Sequence, residues 1–221
     1  MDFWVILRII FIILLCIFAI FLFILFVVLR IIRKYHKFPV PAFMTRLIDN
    51  PIRRKFIQKP ETVAKRMKLE PGMVIIEIGP GKGSYTKVIA NNILPDGIIF
   101  AIDIQESIIN RLKKRISKEK IDNIIPKIDN AYNLSFKNES VDRVLMIACL
   151  PEIPNPVRVL KEVERVLKPN GLICLSEMFP DPDYPRRKTE IRWADEAGFE
   201  LDEKFGNWFI YQLNFKKKLN H

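Results

Sequence analysis

Four carboxylates and a cluster of glycines carry the chemistry that can be read from this sequence. Glu77 stands in Glu77-Ile78-Gly79-Pro80-Gly81-Lys82-Gly83, where the apolar run Val74–Ile78 ends. Glycine tolerates positive φ and lets a ligand approach the main chain, and a helix opening just beyond offers unpaired N–H groups. The spacing is G-x-G-x-G. A dinucleotide fingerprint, G-x-G-x-x-G, would need glycine or alanine at position 84, where this chain has Ser84. Asp103 closes the next apolar run, twenty residues after Gly83, and a carboxylate there can accept both hydroxyls of a ribose. Asp129 follows a third run, in Asp129-Asn130-Ala131. The plainer use of Asp103 and Asp129 is to cap a turn or helix. Glu152, in Cys149-Leu150-Pro151-Glu152-Ile153-Pro154, is the candidate general base, against the ordinary reading of a solvated loop carboxylate. With two histidines, His36 and His221, and cysteines 16, 149 and 174 lacking ligand spacing, no metal site is expected.

These residues need a scaffold that ends several strands at one edge. From Met73 onward, short apolar runs alternate with helical patterns, the signature of βαβ units in a mostly parallel sheet. Strands are predicted at Val74–Ile78, Ile98–Ile102, Ile124–Ile128, Arg143–Ala148 and Leu172–Glu177. Helices are predicted at Tyr85–Ile93, Ser107–Lys120, Val157–Leu167 and Thr189–Ala197. The third of these has Asn155 to cap it, Pro156 at its first position and Pro169-Asn170-Gly171 to stop it. Two closing strands, Glu200–Phe205 and Trp208–Phe215, flank Gly206-Asn207 as an antiparallel hairpin. Upstream, prolines punctuate two short helices near Ala42–Asn50 and Glu61–Lys68. The first, with Arg53, Arg54 and Lys55 after it, suits either a membrane surface or a domain edge.

An acidic residue followed by G-x-G-x-G resembles the first motif of the class I S-adenosylmethionine-dependent methyltransferases, and the likeness covers nearly all of residues 70–215. Val141–Met146 and Val166–Gly171 are similar to the matching segments of the subgroup that includes quinone-biosynthesis methyltransferases. The resemblance implies an α/β, Rossmann-like, mostly parallel sheet with helices on both faces and a C-terminal antiparallel hairpin. It implies S-adenosylmethionine as cofactor: Gly79, Gly81 and Gly83 at its methionine portion and ribose, and Glu77 at its ammonium group. Ile104 would then pack on the adenine, and Asp129, beside Asn130 and Ala131, would accept from the adenine amino group. Such a cofactor has no pyrophosphate, so a carboxylate beside the loop is tolerable. The chain departs from the pattern at Pro151, where related sequences often carry histidine. It also lacks the Asn-Pro-Pro-Tyr type motif of amino-methylating nucleic-acid enzymes.

Residues Ile9–Leu29 contain no charge, and 21 residues at ~1.5 Å each reach about 32 Å, enough to cross a hydrocarbon core of about 30 Å. Arg8 stands alone before this run, whereas Arg30, Arg33, Lys34, Lys37 and Arg46 follow it, which predicts a cytoplasmic C-terminal domain in the cell membrane. The division expected is an anchor at 1–37, a helical linker at 38–70 and a methyltransferase domain at 71–221. The net charge of +11 is then explained by topology and lipid headgroups, with no nucleic-acid partner expected. The expected acceptor is a lipid or lipid-soluble molecule, such as a phospholipid headgroup or a prenylated quinone. A membrane-protein acceptor and a non-catalytic cofactor-binding module remain the alternatives.

Overall fold

A computed structural model describes residues 2–37, 49–179 and 181–218. Helix α1, Phe3–Tyr35, carries apolar side chains on every side instead of along one stripe, so no single face could satisfy it in a soluble core. Its most apolar stretch is uncovered by the rest of the chain, and by length and composition it can cross a membrane. A single π-helical turn at Arg53–Ile57 and α2 (Pro60–Arg66) lead into the sheet. There follow β1 (Val74–Ile78), α3 (Ser84–Asn92), β2 (Ile98–Asp103), α4 (Glu106–Glu119), β3 (Ile124–Ile128) and β4 (Val141–Ile147). A 3-10 turn at Leu150–Glu152, α5 (Pro156–Val166), β5 (Leu167–Met178), α6 (Arg187–Glu196), β6 (Phe199–Gly206) and β7 (Ile210–Lys217) complete the described chain.

The seven strands form one sheet in the order β3-β2-β1-β4-β5-β7-β6. The first five run parallel, and β7 inserts antiparallel between β5 and β6. Strand order reverses between β1 and β4, which opens a crevice at the carboxyl ends of those strands. Period-2 alternation fills both faces. Ile75, Ile99, Leu145 and Cys174 meet Val63, Ile89 and Leu112 of α2, α3 and α4. Ile76, Ile102, Val144 and Ile173 meet Val159, Leu160 and Val163 of α5 on the other face, where Ala194 of α6 joins the same core. Each buried isoleucine, leucine or valine among them contributes roughly 1.5–3 kcal/mol by leaving water, and this two-sided burial holds the strand ends in place.

Most predicted elements appear within a few residues of their expected bounds, and the exceptions have local causes. Asn155 caps α5 as expected, its Oδ1 accepting from Arg158 N–H at 3.1 Å, with Pro156 in the first turn. Pro169-Asn170-Gly171, expected to separate helix from strand, lies inside β5: Val141 pairs with Leu167 and Arg143 with Leu172, so the residues between bulge out of register. The closing hairpin turns at 207–209 instead of at Gly206-Asn207. There Asn207 Oδ1 accepts from the N–H groups of Phe209 and Ile210, which leaves Trp208 at the tip. The helix expected at Ala42–Asn50 falls largely outside the described residues.

Candidate cofactor and acceptor site

A cavity of about 240 Å³ opens at the carboxyl ends of β1, β2 and β4. Its walls are the glycine loop after β1, the end of β2, the turn at 129–132, the end of β4 and the Leu150–Glu152 turn. Nine of the ten residues singled out above line it: Glu77, Gly79, Gly81, Asp103, Ile104, Asp129, Asn130, Ala131 and Glu152.

The tenth, Gly83, is not brought to the cavity wall. All three loop glycines have positive φ, +76° at Gly79, +55° at Gly81 and +75° at Gly83, but they serve different ends. A Cβ on Gly79 would lie 2.7 Å from Cys149 Sγ, whereas one on Gly81 would stand in open space. Gly81 therefore exposes bare main chain, as close approach by a ligand requires. A Cβ on Gly83 would come within 2.4 Å of Leu112 Cδ1, so this glycine lets α3, which it caps, pack on α4.

Glu77 lies beneath that loop at only 2% exposure. The Thr86 hydroxyl donates to its Oε2. Burial pushes this carboxyl up to about 7, against the Thr86 bond, with Asp49 adding to the rise. A carboxylate so placed gains from a cation that can reach it. Across the cavity, Asp103 Oδ1 accepts from Gln105 N–H at 2.8 Å. Burial raises its carboxyl above the ordinary value, opposed by main-chain N–H groups of Gln105 and Ile104. Ile104 itself is 61% exposed, an apolar surface at the cavity wall.

Asp129 is engaged on both oxygens. Oδ1 accepts from Asn130 N–H at 2.9 Å, and Oδ2 from the Ser135 hydroxyl at 2.5 Å and its N–H at 3.2 Å. Burial works against ionisation here, but these bonds and nearby Lys127 hold the carboxyl below its ordinary value. Asp129 thus fastens the turn, while a carboxylate's roughly four lone-pair sites leave room for a further donor.

The other end of the cavity is built from the end of β4 and the 149–154 turn, against which the end of α1 is set. Ala148 adopts φ +48° as β4 leaves the sheet, a strained state of order 1–3 kcal/mol for a residue other than glycine, and its N–H donates to Ser176 O at 3.0 Å. Cys149 follows; burial pushes its thiol well above the ordinary range, so it stays protonated and is no nucleophile. Glu152 lies 3.9 Å from Arg33 of α1, and Arg33 also pairs with Asp183. Arg30, one helical turn earlier, donates to the main-chain oxygens of Pro182 at 3.3 Å and Tyr184 at 3.0 Å. The end of α1 is thereby docked on the cavity rim.

Sequence reasoning did not find Arg53, Tyr85 or Tyr132, which also line the cavity. Arg53 and Arg54, considered above for a membrane or solvated face, turn inward. Arg53 is buried and donates twice to Gln58 Oε1, at 2.9 and 2.6 Å. Gln58 Nε2 in turn donates to Ser176 Oγ at 2.6 Å, and Tyr85 O–H to the Gln58 carbonyl at 2.8 Å. Arg54 donates to Ser84 Oγ at 2.8 Å, beside the glycine loop. Tyr85, second in the helix after that loop, had a positional signal; Arg53 had none. Below the same end, Glu177 and Glu190 are fully buried and close together, and burial raises both carboxyls, Glu190 to about 8.

A parallel sheet with one inserted antiparallel strand, and a glycine loop flanked by two carboxylates at its switch point, define the class I S-adenosylmethionine-dependent methyltransferase arrangement. Residues 69–204, more than half of the chain, match the family model of a methyltransferase domain. The chain belongs to this family of S-adenosylmethionine-dependent enzymes. A demethylmenaquinone methyltransferase of Halalkalibacterium halodurans is 27% identical over 117 residues, which are 52% of this chain and 48% of that one. That of Lactococcus lactis subsp. lactis is 32% identical over 136 residues, 61% and 54% of the two chains. The chain spans about half the length of the curated relatives it matches. Among solved structures, a SAM dependent methyltransferase from Aquifex aeolicus aligns at TM-score 0.75 and 20% identity over 81% of this chain and all of the other. The cyclase SpnF aligns at 0.67 and 16% identity over 78% and 86%. The fold alone therefore leaves the reaction to be argued from the site.

Proposed function

We propose that the chain transfers a methyl group from S-adenosylmethionine to a lipid-soluble acceptor at the cytoplasmic face of a membrane, with a quinone-type ring as the leading candidate. The observation that carries this reading is the docking of α1 on the cavity rim through Arg30 and Arg33. It supports the reading because Glu152, on the cavity wall, stands beside a helix long and apolar enough to cross a bilayer. Tethering of this kind raises the effective concentration of catalyst toward membrane-resident acceptors without any new contact. The relatives named demethylmenaquinone methyltransferase favour a quinone over a headgroup. The reading divides the chain into an anchor at 1–37, a linker at 38–70 and a methyltransferase domain at 71–221, with the excess of basic residues after the uncharged run Ile9–Leu29 setting its orientation.

The donor set suits this cofactor. Glu77, buried and with no cation paired to it among the described residues, would take the ammonium group, and Asp103 the ribose hydroxyls. Bare main chain at Gly81 would allow close approach, the exposed face of Ile104 would cover the purine, and the turn at Asp129, Asn130 and Ala131 would meet its edge. The bound cofactor supplies a methyl on a sulfonium, a leaving group already activated. The chain's own task is to hold the acceptor in line, worth roughly 7–11 kcal/mol when well done. Glu152 is the cavity carboxylate on the acceptor side, and a base is required only where the acceptor atom carries a proton. Its pairing with Arg33 favours a fixed position over a mobile one.

Native membranes supplied with methyl-labelled cofactor test the proposal. Label in the lipid fraction, dependent on the chain, is expected. Label in membrane proteins would favour a protein acceptor instead, and binding without transfer to any fraction would reduce the chain to a cofactor-binding module.

A further inference from the structure

Phe179, just past the end of β5, is the hub of an aromatic cluster that joins the domain to α1. Its ring contacts Phe26 of α1 at 6.4 Å between centroids, Tyr184 at 5.8 Å, Trp208 at 5.5 Å and Phe209 at 6.1 Å. Trp208 is nevertheless 67% exposed and Phe179 39%. Both are large apolar rings left in contact with solvent on one continuous surface, a costly arrangement unless something other than water covers it. Tryptophan is also the side chain most at home where an apolar body must sit in acyl chains and an N–H in headgroups.

We propose that the β6–β7 hairpin tip is a second membrane contact, with Trp208, Phe209 and Phe179 entering the headgroup and acyl-chain boundary of the bilayer that α1 spans. The proposal rests on the anchoring argued above and adds a face of the domain to it. Three observations commit the surface to lipid. The first is continuity: Phe26 lies within the uncharged run Ile9–Leu29, three residues, or about 4.5 Å, from its end, so a ring touching Phe26 stands at the edge of the hydrocarbon. The second is rigidity. Asn207 Oδ1 accepts from Phe209 N–H at 2.9 Å and Ile210 N–H at 3.2 Å, and Asn207 N–H donates to the Ile210 carbonyl at 2.8 Å, so Trp208 is presented by a closed turn. The third is registration. Tyr184 O–H donates to the Trp208 carbonyl, and Tyr184 belongs to the loop that Arg30 and Arg33 grip. The tip is therefore held at one height along α1, the height at which its apolar run gives way to arginines.

The chain has three tryptophans, of which Trp4 lies at the far end of α1, so the Trp4→Phe chain is compared with Trp4→Phe/Trp208→Phe. The difference between them isolates Trp208, and at a position 67% exposed phenylalanine leaves the fold intact. Both are reconstituted in phosphatidylcholine and phosphatidylglycerol vesicles carrying bromine near the headgroups or at mid-chain. The Trp208 emission is expected to fall by at least half with shallow bromine, less with deep bromine, and to resist aqueous iodide. An unquenched Trp208 in a chain that withstands alkaline extraction would overturn the tip contact and leave the anchor standing. Extraction of the chain by alkali would overturn both. Shielding that grows with protein concentration and ignores bromine would assign the face to a second copy of the chain.

Discussion

Glu77, Asp103 and the glycine loop hang from β1 and β2, each flanked by parallel strands on both sides, whereas Glu152 and the 181–184 loop are gripped from outside the sheet by arginines of α1. Strands buried on two faces set the cofactor half of the cavity to the precision of core packing. On the half proposed for the acceptor, the end of α1 sets the geometry from outside the sheet. Where the two halves meet, the strained turn at Ala148 carries β4 from one regime into the other. Under the proposed function, the cofactor site is held by the sheet while the acceptor site is held by the anchor.

Substitutions that strike one half alone test this division, and the largest effect is expected at the glycine loop. Gly81→Val puts a branched side chain at φ +55° into ligand space, and affinity for S-adenosylhomocysteine should fall on the order of 100-fold or more. Calorimetry reads this, and undiminished binding would show that the loop does not meet the cofactor. Asp103→Ala should weaken cofactor binding by about 1–3 kcal/mol, as expected for leaving bonded polar groups unpaired, while thermal unfolding stays near that of the parent chain. Affinity equal to the parent would reduce Asp103 to a turn cap.

Acidity gives a third test. Glu77, raised to about 7, must ionise to take an ammonium group, so cofactor affinity should climb as pH rises to that value and level off above it. Below it the loss approaches roughly tenfold per pH unit, and Glu77→Gln should bind weakly with a flat profile. A parent chain with flat affinity between pH 6 and 8 would exclude Glu77 as the ammonium partner.

The carboxyl pair below the acceptor half affects folding instead. Glu190 stays protonated in the folded chain up to about 8 but ionises near 4.5 when unfolded. Its contribution is therefore complete below the unfolded value and is lost as pH rises toward the folded one. Resistance to urea should decline between those limits by at most about 1.4 kcal/mol per pH unit for this group, and Glu190→Gln should make the decline shallower. An unchanged slope would remove Glu190 from the account. The smallest effect is expected from Arg33→Ala: cofactor affinity unaltered and KM for a bilayer-embedded acceptor raised severalfold. A loss of cofactor binding in that chain would join the two halves that the fold separates.

Legibility in the sequence followed the same boundary. The glycine loop, Glu77 and Asp103 are local to the ends of apolar runs, so period and spacing disclosed them together with the strands that carry them. Arg115, on a helix face readable as merely solvated, donates to Lys82 O at 2.7 Å and braces the loop, a bond across 33 residues that no local pattern announces. Arg53 and Arg33 were hidden for the same reason. Each stands in a basic cluster, and a cluster near an apolar helix is explained by topology before any one member is assigned a partner. The bulge at Lys168–Gly171 escaped because proline and glycine punctuate a turn and a strand irregularity in the same letters.

Arg30 holds the loop by its main-chain oxygens, and so recognises the path of the chain without reading its side chains. Residues 182 and 184 can change identity with little effect on that grip as long as the backbone keeps its course. Asp183 between them, whose carboxylate pairs with Arg33, is then the loop position whose side chain the setting of α1 does depend on. Positions 182 and 184 could therefore be revised many times over while α1 continued to meet the domain at the same angle.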